Sequence, residues 1–304
     1  MLDDLGDFAS LEPLAGGWSG ETFLARVADE TQDPVVVRIY GRDPSRAEVD
    51  AALLGLVRGL VPVADVRELR RARAELPALL LTSHLPGERG DLVWPRLDAD
   101  GLAVLGRNVG DLVAILGGMP MVGPGGFVGS DLRIEPFGPD WPDGLVELVE
   151  RDEQSFGHWT PAERAGLLDV AERAQDLLDT AARTCLVHSD LNPKNLLVDP
   201  DTLAITGLLD WEYAHAGHPF TDLGNVLRFE RDPVYVDAVL DSYQRRRGTP
   251  PSEALELARA ADLWALIDLA GRRGQNPVAT AAEALLRGIS GSGDAHWTPS
   301  EPPA

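Results

Sequence analysis

Apolar residues recur along this chain with two different periods, and the change from one to the other divides it into elements. Leu11-Glu-Pro-Leu-Ala-Gly-Gly-Trp-Ser-Gly-Glu-Thr-Phe-Leu-Ala-Arg-Val27 reads as two strand-like pieces around a glycine-rich turn. Pro34-Val-Val-Val-Arg-Ile-Tyr40 is a β-branched run, and Gln32-Asp33 before it belongs to a turn. Residues 44–60 take helical spacing, with Leu53, Leu56, Val57 and Leu60 predicted to share a face. Val61-Pro-Val begins an extended segment, Ala78-Leu-Leu-Leu-Thr82 is a buried strand, and Ser83-His-Leu-Pro-Gly87 closes it. The first third is therefore expected to be a small sheet with one long helix.

Beyond it the helical period dominates. Residues 98–116 predict a helix, as do 143–152, 161–183, 233–247, 251–273 and 276–289, with 290–304 a loose tail. The stretch from Gly117 to Pro142, dense in glycine and proline, reads as one long loop, which in a compact domain is usually functional or mobile. Between the helices lie three short apolar runs: Cys185-Leu-Val-His188, Leu196-Leu-Val-Asp199 and Leu203 to Leu209. Asp199-Pro-Asp201 supplies a turn between the last two, which predicts a hairpin. No internal repeat interrupts this order.

Composition narrows the class. At 304 residues with 44% hydrophobic content, the chain has room for two lobes, each with its own core. No apolar run approaches a membrane span, and the acidic start Met1-Leu-Asp-Asp-Leu-Gly-Asp7 is wrong for a secretory signal, so a soluble cytoplasmic protein is expected, monomer or homodimer. The net charge of −22 repels nucleic acid and anionic membranes. That charge suits either a cationic ligand or general solubility, because net charge does not say where the acids lie. One cysteine, Cys185, rules out an internal disulfide and predicts a packing role. All 27 basic residues but one are arginine, and the one lysine, Lys194, is not in a Gly-Lys-Ser/Thr phosphate loop.

The chemistry concentrates in His188-Ser-Asp-Leu-Asn-Pro-Lys-Asn195 and Leu208-Leu-Asp-Trp-Glu212. The predicted hairpin starts one strand at Asn195 and ends its partner at Asp210, bringing an amide oxygen and a carboxylate together. Such hard oxygen ligands suit Mg²⁺, and Asp190 stands nearby as a base. This is the equipment of phosphoryl transfer, where catalysis is mostly positioning and charge neutralisation.

The spacing His-x-Asp-x-x-x-x-Asn followed by Asp about fifteen residues on resembles the catalytic core of the aminoglycoside phosphotransferase family, and Asp210-Trp-Glu through Asp222-Leu-Gly extends the match without a gap. The resemblance implies an α+β, two-lobed, protein-kinase-like fold. Residues 1–87 would form the mostly-β nucleotide lobe, with a hinge at about 82–87, and residues 88–304 the mostly helical catalytic and substrate lobe. It implies that Asp190 is the catalytic base, that Asn195 and Asp210 hold Mg²⁺, and that Asp222 accepts backbone hydrogen bonds from the catalytic loop. His188 would hold that loop by hydrogen bonds.

The nucleotide would then meet the Gly16–Gly20 loop, with Gly17 allowing close approach and Ser19 offering an amide and a hydroxyl. Backbone groups of Ser83 and Leu85 would meet the adenine edge. Arg38 stands where protein kinases carry lysine, and its guanidinium would clamp phosphate oxygens, positioned by Glu48 as the family's strand–helix ion pair. Asn192 occupies the place of the protein-kinase catalytic-loop lysine, so no family role passes to Lys194. His215 and His218 are expected to be loop residues. The implied activity is transfer of the γ-phosphate of ATP or GTP to a hydroxyl of an aminoglycoside or other antibiotic. A metabolite kinase acting on a sugar, amino sugar or amino alcohol is the alternative, and a nucleotide-binding pseudokinase the third reading.

Overall fold

The structure, a computed structural model, describes residues 8–14, 21–27, 33–74 and 76–299. β1 (Phe8–Pro13) and β2 (Glu21–Val27) pair antiparallel, with Glu12 opposite Leu24 and Pro13 opposite Phe23. The expected Gly16–Gly20 turn, with Gly17 and Ser19, lies outside the described residues. β3 (Val35–Tyr40) adds to β2 and places Arg38 between Thr22 on one side and Leu80 of β5 (Ala78–Ser83) on the other. With β4 (Val66–Arg70) at the far edge, the order is β1-β2-β3-β5-β4, and neighbouring strands run antiparallel. Alternation puts Ala25, Val37 and Leu81 on one face, where Leu11, Val35, Ile39 and Leu79 pack on them.

Between β3 and β4 runs α1 (Arg46–Val57). The face it buries differs from the predicted one. Ala47, Asp50, Leu53, Leu54 and Val57 are buried, whereas Leu56 and Leu60 are exposed. The helix stops at Val57, and Gly59 at φ 79° turns the chain, so Leu60 never joins the helical stripe.

After β6 (Glu88–Arg89) and the single turn α2 (Gly90–Val93) comes α3 (Ala99–Leu116), the helix expected at 98–116. The expected loop after it is not structureless. It contains β7 (Pro120–Met121) and a hairpin of β8 (Gly125–Val128) with β9 (Arg133–Glu135), in which Phe127 faces Ile134. Glycine hid this hairpin from a reading by propensity, yet the geometry requires it. Gly125 sits at φ 151°, and a Cβ there would fall 2.2 Å from the Glu135 carbonyl oxygen.

α4 (Leu145–Arg151) and α5 (Pro161–Leu178) follow, then β10 (Thr184–Val187), β11 (Leu196–Val198) and β12 (Ile205–Leu208). The last four helices are α6 (Thr221–Leu227), α7 (Pro233–Arg247), α8 (Pro251–Gly271) and α9 (Pro277–Ser292). The three long ones match the predicted spans closely, and side-chain caps fix the starts of two of them. α7 begins with Asp232 accepting from the Val234 amide ahead of Pro233, and α9 with Asn276 accepting from Ala279 at 2.8 Å ahead of Pro277. Asn276→Ala should therefore lower stability by about 1 kcal/mol in urea unfolding, with the slope of the transition unchanged.

The chain divides into two compact units. The first gathers the described residues of Met1–Gly101 with Gly125–Glu135 and Asp190–His215, and so contains the five-stranded sheet, α1, the β8–β9 hairpin and β11–β12. The second comprises Leu102–Pro124, Pro136–Ser189 and Ala216–Ala304. In it α8 packs against α5, α6 and α9. Cys185 is buried in this unit on β10, which pairs with β7, and burial pushes its thiol up to about 12. The expected packing role follows, since such a thiol stays protonated and inert. Among the described residues no helix is long and apolar enough to cross a membrane.

Candidate active site

The hairpin forms as its sequence predicts. Leu196 pairs with Leu208 and Leu197 with Gly207, and the Leu209 amide donates to the Asn195 carbonyl at 2.8 Å. Asp199 makes the turn by accepting from the amides of Asp201 and Thr202 at 3.0 and 2.9 Å. Leu196, Val198 and Leu208 face inward and are buried, while Thr206 on the opposite face donates to the Pro86 carbonyl at 2.6 Å. Gly87 is required here: a Cβ would lie 2.3 Å from the Thr206 hydroxyl, and its φ of 118° is one that other residues rarely adopt.

Asn195 thus stands immediately before β11, its carbonyl bonded to the Leu209 amide, and Asp210 follows Leu209. Asp210 takes a left-handed conformation, φ 60° and ψ 72°, and Ser189 before Asp190 also has a positive φ of 68°. Two non-glycine residues in this region flank the motif at both ends, and such strain persists where the surroundings fix it, commonly at functional sites. In the second unit, Asp222 in the first turn of α6 supplies part of that fixing. Its carboxylate accepts from the His188 amide at 2.9 Å and from the Ser189 amide at 2.8 Å, the role expected of it. His188 is fully buried.

Asp190 is held by amides on both oxygens. Asn192 Nδ2 donates to Oδ1 and Asn195 Nδ2 to Oδ2, each at 2.8 Å. These bonds point the Asn195 nitrogen at Asp190. Asn192 also caps the short turn Pro193–Asn195, accepting from the Lys194 amide at 2.9 Å. Lys194 itself is exposed. His218, expected in a loop, is partly buried, and burial pushes its imidazole down to about 4.

Arg38 reaches the same hairpin from β3. Its NH1 donates to Asp210 Oδ1 at 2.9 Å and its NH2 to Glu212 Oε2 at 3.1 Å, while the guanidinium carbon lies 5.4 Å from the Tyr40 ring centroid. Burial works against its charge, but Asp210, Tyr40 and Asp50 outweigh burial and the net shift is upward. The expected pairing with Glu48 does not form. Glu48 instead accepts from Arg71 Nε at 2.5 Å, and the α1 carboxylate that faces Arg38 is Asp50, at 4.0 Å. Residues two apart on a helix point to different sides, so only one of the two acids can face the sheet.

Asp50 accepts from the Tyr40 hydroxyl and from Arg46 Nε, both at 2.7 Å, and Arg46 also donates to the Trp211 carbonyl at 2.6 Å. The Tyr40 phenol is pushed well up, first by burial and then by Asp50. Asp50 had a signal in the sequence. It shares the stripe of Ala47, Leu53, Leu54 and Val57, and a carboxylate on a buried stripe must have a partner. Glu212 carried a weaker one, as a third polar residue beside Asp210.

At the expected hinge, Ser83 is committed to Asp65. Its amide donates to the Asp65 carbonyl at 2.8 Å, and its hydroxyl accepts from the Asp65 amide at 2.9 Å. Leu85, past the end of β5, has no backbone amide partner among the described residues. The structure therefore brings Arg38, Asp190, Asn195 and Asp210 into one unit, to which Glu48 also belongs, though paired with Arg71 rather than Arg38.

Comparison with known proteins gives the class. Residues 10–257 match the model of the phosphotransferase enzyme family, and the chain belongs to that family. Its fold is α+β and kinase-like, a mostly-β sheet with a helical portion. Among the curated relatives, the aminoglycoside 3'-phosphotransferase of Streptomyces fradiae is 25% identical over 75% of this chain and 84% of its own length. That of Streptomyces ribosidificus is 26% identical over 60% of this chain and 66% of its own. Of the solved structures, a thermostable form of aminoglycoside phosphotransferase APH(4)-Ia, in ternary complex with ADP and hygromycin B, superposes with a TM-score of 0.67 at 17% identity. The superposition covers 96% of this chain and 97% of that one.

Proposed function

We propose that this chain is a small-molecule kinase that transfers the γ-phosphate of ATP, or GTP, to a hydroxyl of an aminoglycoside or another hydroxyl-bearing antibiotic. The observation that carries the reading is the Asp190 carboxylate held by Asn192 and Asn195, in one unit with Asp210 and Arg38. The likeness to an aminoglycoside phosphotransferase seen with ADP and hygromycin B supports both the nucleotide and the acceptor class.

Asp190 would orient the acceptor hydroxyl and take its proton as that oxygen bonds to the γ-phosphorus and the bond to the leaving diphosphate breaks. The two amides keep the carboxylate oriented without supplying a proton of their own. The oxygen-only donor set of Asn195 Oδ1 and Asp210 fits Mg²⁺, which when bound would neutralise phosphate charge. Arg38 would grip phosphate oxygens together with Gly17 and Ser19, while the Ser83 carbonyl, its amide being held by Asp65, and the Leu85 backbone would meet the adenine edge. In this reading residues 1–87 form the nucleotide lobe and 88–304 the catalytic lobe. Asp50, rather than Glu48, serves as the carboxylate behind Arg38.

A nucleotide-consumption screen of the purified protein against antibiotics and sugars tests the acceptor class. Hits among aminoglycosides support it, and hits confined to neutral sugars or amino alcohols would make it a metabolite kinase. No hit in any class, with nucleotide bound, would leave a nucleotide-binding pseudokinase. For the metal, Asp210→Asn should keep the fold and weaken Mg²⁺-dependent nucleotide binding. The loss should be at least the roughly tenfold that losing a mere supporting partner of a metal ligand costs. Calorimetry with and without Mg²⁺ reads this, and unchanged metal dependence would remove Asp210 from the role.

A further inference from the structure

Among the described residues, five charged side chains meet near the end of β12, and their signs are uneven. Asp50, Asp210 and Glu212 are three carboxylates set against two guanidiniums, Arg38 and Arg46. The guanidiniums divide the work. Arg46 is tied to Asp50 and to the Trp211 carbonyl, while Arg38 bridges Asp210 and Glu212. Arg38 spreads one NH group to each acid, the span a planar guanidinium provides and an ammonium does not.

We propose that Arg38 is a place-holding cation. It neutralises Asp210 and Glu212 and so makes divalent-metal binding at these acids conditional on a polyphosphate that draws the guanidinium away. The inference rests on the kinase reading only in taking that polyphosphate to be a nucleotide. A metal ion arriving alone must break two charge-assisted hydrogen bonds and come to rest beside a fixed positive charge. A polyphosphate changes the balance, because its oxygens offer the guanidinium equally good acceptors. Asp50 waits 4.0 Å from Arg38 NH1 as a second partner, held in place by the Tyr40 hydroxyl and Arg46. With Arg38 withdrawn, two carboxylates stand without their guanidinium, the charge that a divalent cation satisfies. Tyr40, under the guanidinium, serves either position, since its ring lies beside Arg38 and its hydroxyl on Asp50. Metal and nucleotide would thus enter together, and the acids would not collect metal in the intervals between turnovers.

The test is Mn²⁺ alone, titrated into the full-length protein and followed by the electron paramagnetic resonance of the free ion. Arg38→Gln should bind Mn²⁺ without nucleotide on the order of tenfold more tightly than wild type, since the competing hydrogen bonds are gone. Arg38→Lys, which keeps the charge and loses the fork, should move the same way by less. Arg46→Gln removes an equal charge from the same cluster without freeing Asp210 or Glu212, so its gain should be clearly smaller. Mn²⁺ affinity that is unchanged or weaker in Arg38→Gln would overturn the proposal, and so would an equal gain in Arg46→Gln, which would reveal general electrostatics only. Circular dichroism checks that each variant is folded, and the lysine variant decides the matter if the glutamine one is not. Should wild type bind no ATP in the presence of Mn²⁺, it is the kinase reading that fails, while the metal-only comparison still decides this one.

Discussion

Asp190→Ala is expected to lower turnover on a confirmed acceptor by roughly two to four decades, the range associated with a positioned acid or base. Nucleotide binding should survive, because the phosphate-gripping Arg38 is carried by β3, outside the loop that Asp190 occupies. The substitution also frees the side-chain nitrogens of Asn192 and Asn195 from the carboxylate, but each keeps its bond to the Asp190 carbonyl, at 3.2 and 2.8 Å. The loop should therefore keep its shape and the loss should fall on the chemical step. Steady-state kinetics with calorimetry of nucleotide binding separates the two. Near-wild-type turnover in the variant would remove Asp190 from the catalytic role.

The largest effect on stability is expected from Asp262, far along α8. Its carboxylate is almost wholly buried and accepts from Arg228 through Nε at 3.0 Å and NH2 at 2.7 Å. Arg259 lies on the same helix, donates to the Leu227 carbonyl, and is lowered to about 10 by burial and then by Arg231. Asp262 is thus the counter-charge in a buried group of arginines. Asp262→Ala leaves Arg228 without it and should cost about 3–5 kcal/mol, the penalty for breaking a buried pair from one side. Replacing both partners, Asp262→Leu with Arg228→Met, should recover part of the loss, because Arg228 is then no longer a buried unpaired charge, while Arg259 and Arg231 still lack their counter-charge. Urea unfolding of both variants checks this, and a loss under about 1 kcal/mol in the single variant would contradict it. The pair also bears on the site, since Arg228 caps α6, the helix whose Asp222 holds the His188 and Ser189 amides.

The parts of this molecule legible in the sequence are those in which local chemistry and tertiary structure ask for the same thing. The β11–β12 hairpin was readable because Asp199-Pro-Asp201 is a turn and the apolar residues around it suit buried strands. Helices α7, α8 and α9 were readable because Pro233, Pro251 and Pro277 stand at their first positions. Where packing overrode pattern, the reading failed. Leu56 and Leu60 look like core residues, yet Leu56 falls on the exposed side of α1 and the helix ends before Leu60 can join the buried stripe. The β8–β9 hairpin is made of residues that propensity assigns to a loop, and α6 is only seven residues long, too short for a helical period to show. The partner of Arg38 was missed for a different reason. Analogy pointed to a glutamate early in α1, whereas the geometry selects the acid on the buried face, Asp50.

The central claim, phosphoryl transfer to a small-molecule hydroxyl, is tested most directly by mass spectrometry of the acceptor. The purified protein would be incubated with ATP, Mg²⁺ and each of a panel of aminoglycosides, with Asp190→Ala run in parallel. The expected result is an acceptor that gains one phosphoryl group on a hydroxyl with wild type and remains unmodified with the variant over the same time. An acceptor modified equally by both would contradict the account. So would a panel that stays unmodified while other hydroxyl-bearing small molecules, run in the same way, also gain no phosphate.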